Sequence, residues 1–235
     1  SKSNLKKWFR INHFDAIIHL AAIVPIKEVN SNQKKAYNVN FNGTKNLVIE
    51  TKKNKIKWFF FASTSHVYAS NKKKISEKNN SKPLSYYGYT KKKSEIYMVK
   101  KFSNTNTKYC IGRIFSTTNS NQKKNYLVPD LKKKIKNANK TITLSNLNHY
   151  RDFISMKDIS KIIFFLFNRN YKGIINLGTG KKIKLTKIAK IIAKKYKKNL
   201  KFEDNKKATY HIANITKLKK IYKKNINSKL ENMIF

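Results

Sequence analysis

The stretch "KWFFFAST", residues 57–64, is a run of apolar, mostly aromatic side chains that ends in two hydroxyls. A run this short, bounded by polar residues, reads as a buried strand. Working outward, "FDAIIHLAA" (14–22), "YCIGRIF" (109–115), "TITL" (141–144) and "GIINLGTG" (173–180) have the same character. Amphipathic stretches lie between them. Residues 30–53 place Ala36, Val39, Leu47, Val48 and Ile49 at helical spacing and run through Gly43. "YGYTKKKSEIYMVKKF" (87–102) reads as a helix with Tyr89, Ile96 and Met98 as candidate buried positions. Further helices are expected from "YLVPDLKKKI" onward, over "SMKDISKIIFFLFNR" (155–169), and over "LTKIAKIIAKKY" (185–196) with Thr186 as its N-cap. Strands alternating with helices argue for an α/β fold: a parallel sheet with right-handed crossovers, its ligand outside the carboxyl ends of the strands. Three of those ends carry suggestive residues, "HLAA", "FASTS" and "RIFSTTN".

The 235 residues are 40% hydrophobic, enough for a sizeable core. The longest apolar runs, such as "IIFFLF" (162–167), are too short to span a bilayer, and no stretch is ordered like a signal peptide. A single cysteine, Cys110, excludes an internal disulfide, so a cytoplasmic location is the expectation. No Cys/His cluster has metal-ligand spacing, and no metal site is expected. The net charge of +43 comes almost wholly from lysine, since only Arg10, Arg113, Arg151 and Arg169 are arginines. The lysines run the whole length together with abundant Asn and Ile, the residues an AT-rich coding sequence writes. A selected polyanion-binding surface is the competing reading. Specific nucleic-acid recognition is not expected, because bidentate arginine contacts would be scarce.

In "SYYGYTKKK" (85–93) a tyrosine is followed four residues later by a lysine, which sets both on one helix face. With 13 Tyr and 50 Lys, about three such pairs arise by chance, and Tyr68, Tyr87, Tyr89 and Tyr97 all begin one. Position in the fold favours Tyr87. Its helix follows the strand ending in Ser63, Thr64 and Ser65, so a hydroxyl and the pair would converge on one crevice. Tyr89 lies about 200° further round the helix and points elsewhere.

The ordered segments "FDAIIHLAA", "NVNFNGTKNL", "FFFASTSHVY", "SYYGYTKKKSE", "RIF", "RDFISMKDI" and "INLGTG" resemble the extended short-chain dehydrogenase/reductases, and more narrowly the NAD-dependent nucleotide-sugar epimerases and dehydratases. The resemblance runs from about residue 5 to 222 in collinear order. It implies a Rossmann-like doubly wound parallel sheet with a small C-terminal α/β substrate-binding part. Residues 1–115 would be an incomplete NAD(P)-binding domain, and 116–235 a mixed substrate-binding region interleaved with the same sheet. It further implies a nucleotide-sugar substrate, NAD or NADP as cofactor, and a homodimer. Tyr87 would move the proton of a sugar hydroxyl. Lys91 would hold the nicotinamide ribose and depress the Tyr87 pKa, and Thr64 would orient the reacting oxygen. Leu20, Ala21 and Ala22 would wall the cofactor, with Asn40 nearby. Ser65, His66 and Ser116 would face the substrate, and Arg151 would neutralise its diphosphate.

Plainer readings stand beside these. Thr64 also fits a turn cap, Arg151–Asp152 a local pair, His66 a wall residue, and His19 a satisfied core histidine. Asp158 fits a helix-start anchor, and "GTG" (178–180) a tight loop. The sequence departs from the family at Ser65 and His66, where dehydratases carry an Asp–Glu pair, and at Ser116, where an Asn is usual. Its first glycine is Gly43, so the close-set glycines that let backbone approach a pyrophosphate are missing. A fragment of a longer protein that binds NAD poorly by itself is therefore expected. The function expected is epimerase or keto-sugar-nucleotide reductase; the alternative is a non-catalytic remnant or binding module.

Overall fold

The computed structural model describes residues 2–123 and 125–235. The chain opens with α1 (Lys2–Ile11), β1 (Ala16–His19), α2 (Ile26–Ser31), α3 (Gln33–Tyr37) and α4 (Gly43–Lys53). There follow β2 (Trp58–Thr64), α5 (Tyr86–Phe102), β3 (Lys108–Ile114), α6 (Leu127–Asn137), β4 (Thr141–Ser145) and β5 (Tyr150–Arg151). The remainder is α7 (Met156–Asn168), β6 (Gly173–Leu177), β7 (Ile183–Lys184), α8 (Leu185–Tyr196), β8 (Asn199–Glu203), β9 (Tyr210–His211), α9 (Thr216–Ile221) and α10 (Leu230–Ile234). Among the described residues no helix is long and apolar enough to cross a membrane.

Two compact units share the chain. The first comprises Ser1–Ala69, Glu77–Ile114 and Lys161–Asn176. Its sheet has the order β1-β2-β3-β6, with β2 parallel to β1 and β3. Strand β2 is apolar nearly throughout because both its faces are covered, as parallel sheets require. Phe59 and Phe61 join Ile17, Val48, Met98, Phe102 and Ile111 in one core. On the other face Trp58 stacks near Phe60 and meets Phe167 edge-on at 5.4 Å, while its indole N–H donates to the Tyr171 carbonyl.

The second unit comprises Ser70–Ser76, Phe115–Ser160 and Leu177–Phe235. It holds a parallel pair, β4 with β8, and a three-stranded sheet in the order β7-β5-β9. Its core draws on α6, α8 and α10, with Leu131, Ile135, Ile188, Ile192 and Met233 among the buried residues.

Three expectations need correction. The helix expected over 30–53 is broken only at Asn32, which caps α3; from Gln33 it runs on to Lys53, with a turn of π-helix over Asn38–Asn42. In α5 Met98 is buried, but Tyr89 and Ile96 are exposed, because the inward face of this helix is polar and carries Thr90, Lys91, Ser94 and Glu95. Thr186 does not cap α8. That helix starts one residue earlier, where the Leu185 N–H donates to the His149 carbonyl. Asp158 does anchor α7: its carboxylate accepts from Ser155 and Ser228, and the Ser155 hydroxyl accepts from the Asp158 N–H, a reciprocal cap.

Candidate active site

Strand β2 ends in Thr64, whose hydroxyl oxygen accepts from the His66 N–H at 3.2 Å and opens a short 3₁₀ turn over Ser65–Val67. Thr64 thus caps a turn, and its O–H hydrogen is left to donate elsewhere. Helix α5 is seated on that turn. The Ser85 hydroxyl accepts from the Gly88 N–H as N-cap and lies 3.4 Å from His66 Nδ1. The Leu84 N–H donates to the His66 carbonyl. Gly88 makes the seating possible, since a Cβ there would stand 2.3 Å from that carbonyl oxygen.

This seating sets Tyr87 beside the end of β2. Its ring is buried and meets the His66 imidazole edge-on, with centroids 6.0 Å apart. His66 is a half-buried wall to the tyrosine, and Ser65 is buried beneath the turn. One helical turn on, Lys91 is only 1% exposed, with its ammonium 4.0 Å above the Phe61 ring. Among the described residues it has no hydrogen bond and no ion pair. Burial pushes this ammonium down to about 7, against the opposing charge of Glu95.

At the end of β1, His19 is a satisfied core histidine, its Nε2 lying 2.9 Å from the Thr44 hydroxyl. Burial, and then the charge of Lys91, lower it to about 4, so the ring is neutral at neutral pH. Leu20 and Ala21 are exposed and Ala22 half-buried. Ala21 lines a cleft of about 480 Å³ together with His19, Val39, Gly43 and Leu47. Asn40 is fully buried and spends its amide on the protein: it accepts from the Ile23 N–H, donates to the Ile23 carbonyl, and reaches Thr90 at 3.3 Å. The Asn40 side chain therefore fixes the loop that follows Leu20–Ala22.

Arg151 and Ser116 belong to the second unit. Arg151 donates to the carbonyls of Tyr150 and Thr209 and to the Thr209 hydroxyl. Burial lowers it to about 10, so it stays charged at neutral pH. It does not pair with Asp152, whose carboxylate accepts from Thr179 N–H and O–H, Gly180 N–H and Ala213 N–H. The "GTG" turn wraps this carboxylate, and its amides are spent there rather than on a phosphate. Ser116 joins the same unit through a parallel bridge to Phe153. Among the described residues no group of three or more His, Cys, Asp or Glu is placed to hold a metal.

Sequence reasoning missed Gly88 and the buried pair of Glu95 with Arg113. One signal was available: an arginine inside the apolar strand "YCIGRIF" needs a carboxylate partner.

Residues 1–178 match the family described as "NAD dependent epimerase/dehydratase family". Among curated relatives, the GDP-6-deoxy-D-talose 4-dehydrogenase of Aggregatibacter actinomycetemcomitans is 33% identical over 171 residues, covering 71% of this chain and 56% of the relative. Among solved structures, the UDP-glucose 4-epimerase of Thermotoga maritima with UDP-glucose superposes with a TM-score of 0.88 at 20% identity, covering all of this chain and 79% of that one. RMD of Pseudomonas aeruginosa complexed with NADPH gives 0.89 at 16% identity, covering all of this chain and 83% of that one. These likenesses show the fold. The chain spans 25% to 60% of the length of the curated relatives it matches.

Proposed function

From the premise that this chain belongs to the NAD dependent epimerase/dehydratase family, we propose that it serves a nucleotide-sugar C4 epimerase or a reductase of a keto-sugar nucleotide. Lys91 is the observation that carries this. A buried ammonium without a polar partner is costly, and the ribose hydroxyls of a nicotinamide nucleotide are acceptors of the kind it needs. NAD or NADP, when bound, would accept and donate the hydride. Tyr87 would take or return the proton of the sugar hydroxyl, helped by the positive charge one turn away. Thr64 would donate its remaining O–H to the same oxygen. Leu20, Ala21 and Ala22 would leave room for the cofactor, and Asn40 would hold their loop in place. Arg151, bonded only to neutral groups, would keep its charge for a substrate diphosphate. Ser65 and His66 would line the sugar side. Neither Ser65 nor His66 is a carboxylic acid, which argues against dehydration.

A fluorescence titration with NADH, comparing the wild-type chain with Lys91→Met, tests the proposal. The variant should bind at least about tenfold more weakly. The wild-type chain, without close-set glycines for the pyrophosphate, should itself bind only weakly, and equal affinities of wild type and variant would overturn the proposal. With a keto-sugar nucleotide, net loss of NADH marks a reductase, and sugar inversion without net loss marks an epimerase.

A further inference from the structure

We infer that Glu95 is a positioning residue of this site: it ties the end of β2 to the Lys91 turn of α5 and sets the surroundings of the Lys91 ammonium. The inference rests on the proposed role of Lys91.

Glu95 is 1% exposed and sits one helical turn beyond Lys91, on the same face. Its Oε1 accepts from the Ser63 hydroxyl at 2.5 Å, and Ser63 immediately precedes Thr64. The same carboxylate is held bidentately by Arg113, whose Nε lies 3.0 Å from Oε1 and whose Nη2 lies 2.7 Å from Oε2. Arg113 Nη1 in turn donates to the Tyr68 hydroxyl, which donates to Asn176. Burial pushes the Tyr68 hydroxyl up to about 12, so it stays protonated beside the Arg113 guanidinium. Strands β2, β3 and β6 are thereby pinned to one carboxylate on α5. A buried ion pair adds little net stability, but a forked one fixes orientation.

The groups around Lys91 make Glu95 decisive for charge. From β1 it faces His19, neutral at neutral pH, and from β2 the Phe61 ring. From its own helix come Tyr87, Glu95 and Lys92, whose ammonium lies 3.5 Å from Glu95 Oε2, and from β3 Arg113 stands behind Glu95. Of these only Glu95 is anionic. Burial drives Lys91 towards the neutral amine, and Glu95 opposes it.

Lysine-selective ¹⁵N NMR of the side-chain nitrogens reads the charge of Lys91 directly, with Lys91→Met assigning its signal. In Glu95→Gln the Lys91 titration should move to lower pH by at least about one unit. In Ser63→Ala, which removes a hydrogen bond and no charge, it should stay in place, and Glu95→Asp should restore most of the wild-type value. Glu95→Gln leaves Arg113 unpaired and risks unfolding, so Glu95→Gln/Arg113→Met provides a variant with neither buried charge, in which the shift should persist in the same direction but be smaller, because the opposing guanidinium has gone as well. An unmoved titration in both glutamine variants would overturn the inference. Because the signal is read without cofactor, its failure is distinct from a failure of NADH binding.

Discussion

Gly88 lies so close beneath His66 that a Cβ on it would stand 2.3 Å from the His66 carbonyl oxygen and 2.9 Å from its carbon. Both obstacles are backbone and cannot swing aside. Gly88→Ala should therefore lift the start of α5 off the turn after β2. We expect a loss of about 2–3 kcal/mol, as for overpacking of a rigid site, together with weaker nicotinamide binding. Urea denaturation checks the first effect. An unchanged midpoint would mean that helix and turn are not rigidly seated.

Tyr87 and Tyr89 make a matched pair of tests. Tyr87 is buried against His66, whereas Tyr89 is exposed and lies beside Tyr86 and Lys93. With Tyr87 as the proposed proton carrier, Tyr87→Phe should slow turnover by about 10²–10⁴-fold with cofactor affinity nearly kept. Tyr89→Phe should change neither. Steady-state rates of both variants decide the register: a silent Tyr87→Phe beside a dead Tyr89→Phe would refute it.

Lys91 gives a stability signature against pH. Its folded-state value of about 7 lies below the 10.5 of an ordinary lysine. Below pH 7 both folded and unfolded chains are protonated, and the fold bears the full cost of the buried charge. Between pH 7 and 10.5 the unfolded chain holds a proton that the folded one has released, so this cost fades as pH rises. Lys91→Met should stabilise the protein by on the order of 4 kcal/mol at pH 6, with the gain nearly gone at pH 10. Denaturation of both proteins at the two pH values measures it. A gain independent of pH would show that Lys91 is not a buried charge.

Asp152 is the hub of its unit. Removing its carboxylate in Asp152→Ala strands the amides of Thr179, Gly180 and Ala213 in a region where Asp152 itself is fully buried. Each buried donor left unmet costs about 1–3 kcal/mol, so we expect loss of cooperative thermal unfolding in this unit. Calorimetry showing a wild-type transition would argue that water replaces the carboxylate at little cost.

The strands at 58–64, 108–114 and 173–177 were legible because each is a compact apolar run between polar flanks, a pattern that depends on local sequence alone. Helix period alone left four Tyr–Lys pairs equivalent, and Tyr87–Lys91 stood out only by its place after the strand that ends in Ser63, Thr64 and Ser65. The π-helical turn at Asn38–Asn42 was not legible, because Asn40 there reaches back to Ile23, a contact no local window contains. Hydrophobic counting likewise misjudged α5. It sought apolar residues on the inner face, and that face instead holds Lys91 and Glu95 in a site whose partners come from β2 and β3. Gly88 escaped for the same reason: its constraint is a carbonyl 22 residues earlier in the chain.

The chain has only 11 acidic residues against 54 Lys and Arg, and Glu95, Asp152 and Asp158 are buried in internal bonding. Of the three ion pairs among the described residues, two fall on Glu95 itself. The surface lysines thus have almost no internal counter-charge, and their mutual repulsion is relieved only by dissolved anions, over a range of about 10 Å at moderate ionic strength. In that respect the folded protein resembles a salt whose second ion comes from the solvent. Its tolerance of heat and of dilution is then set as much by the buffer as by the core.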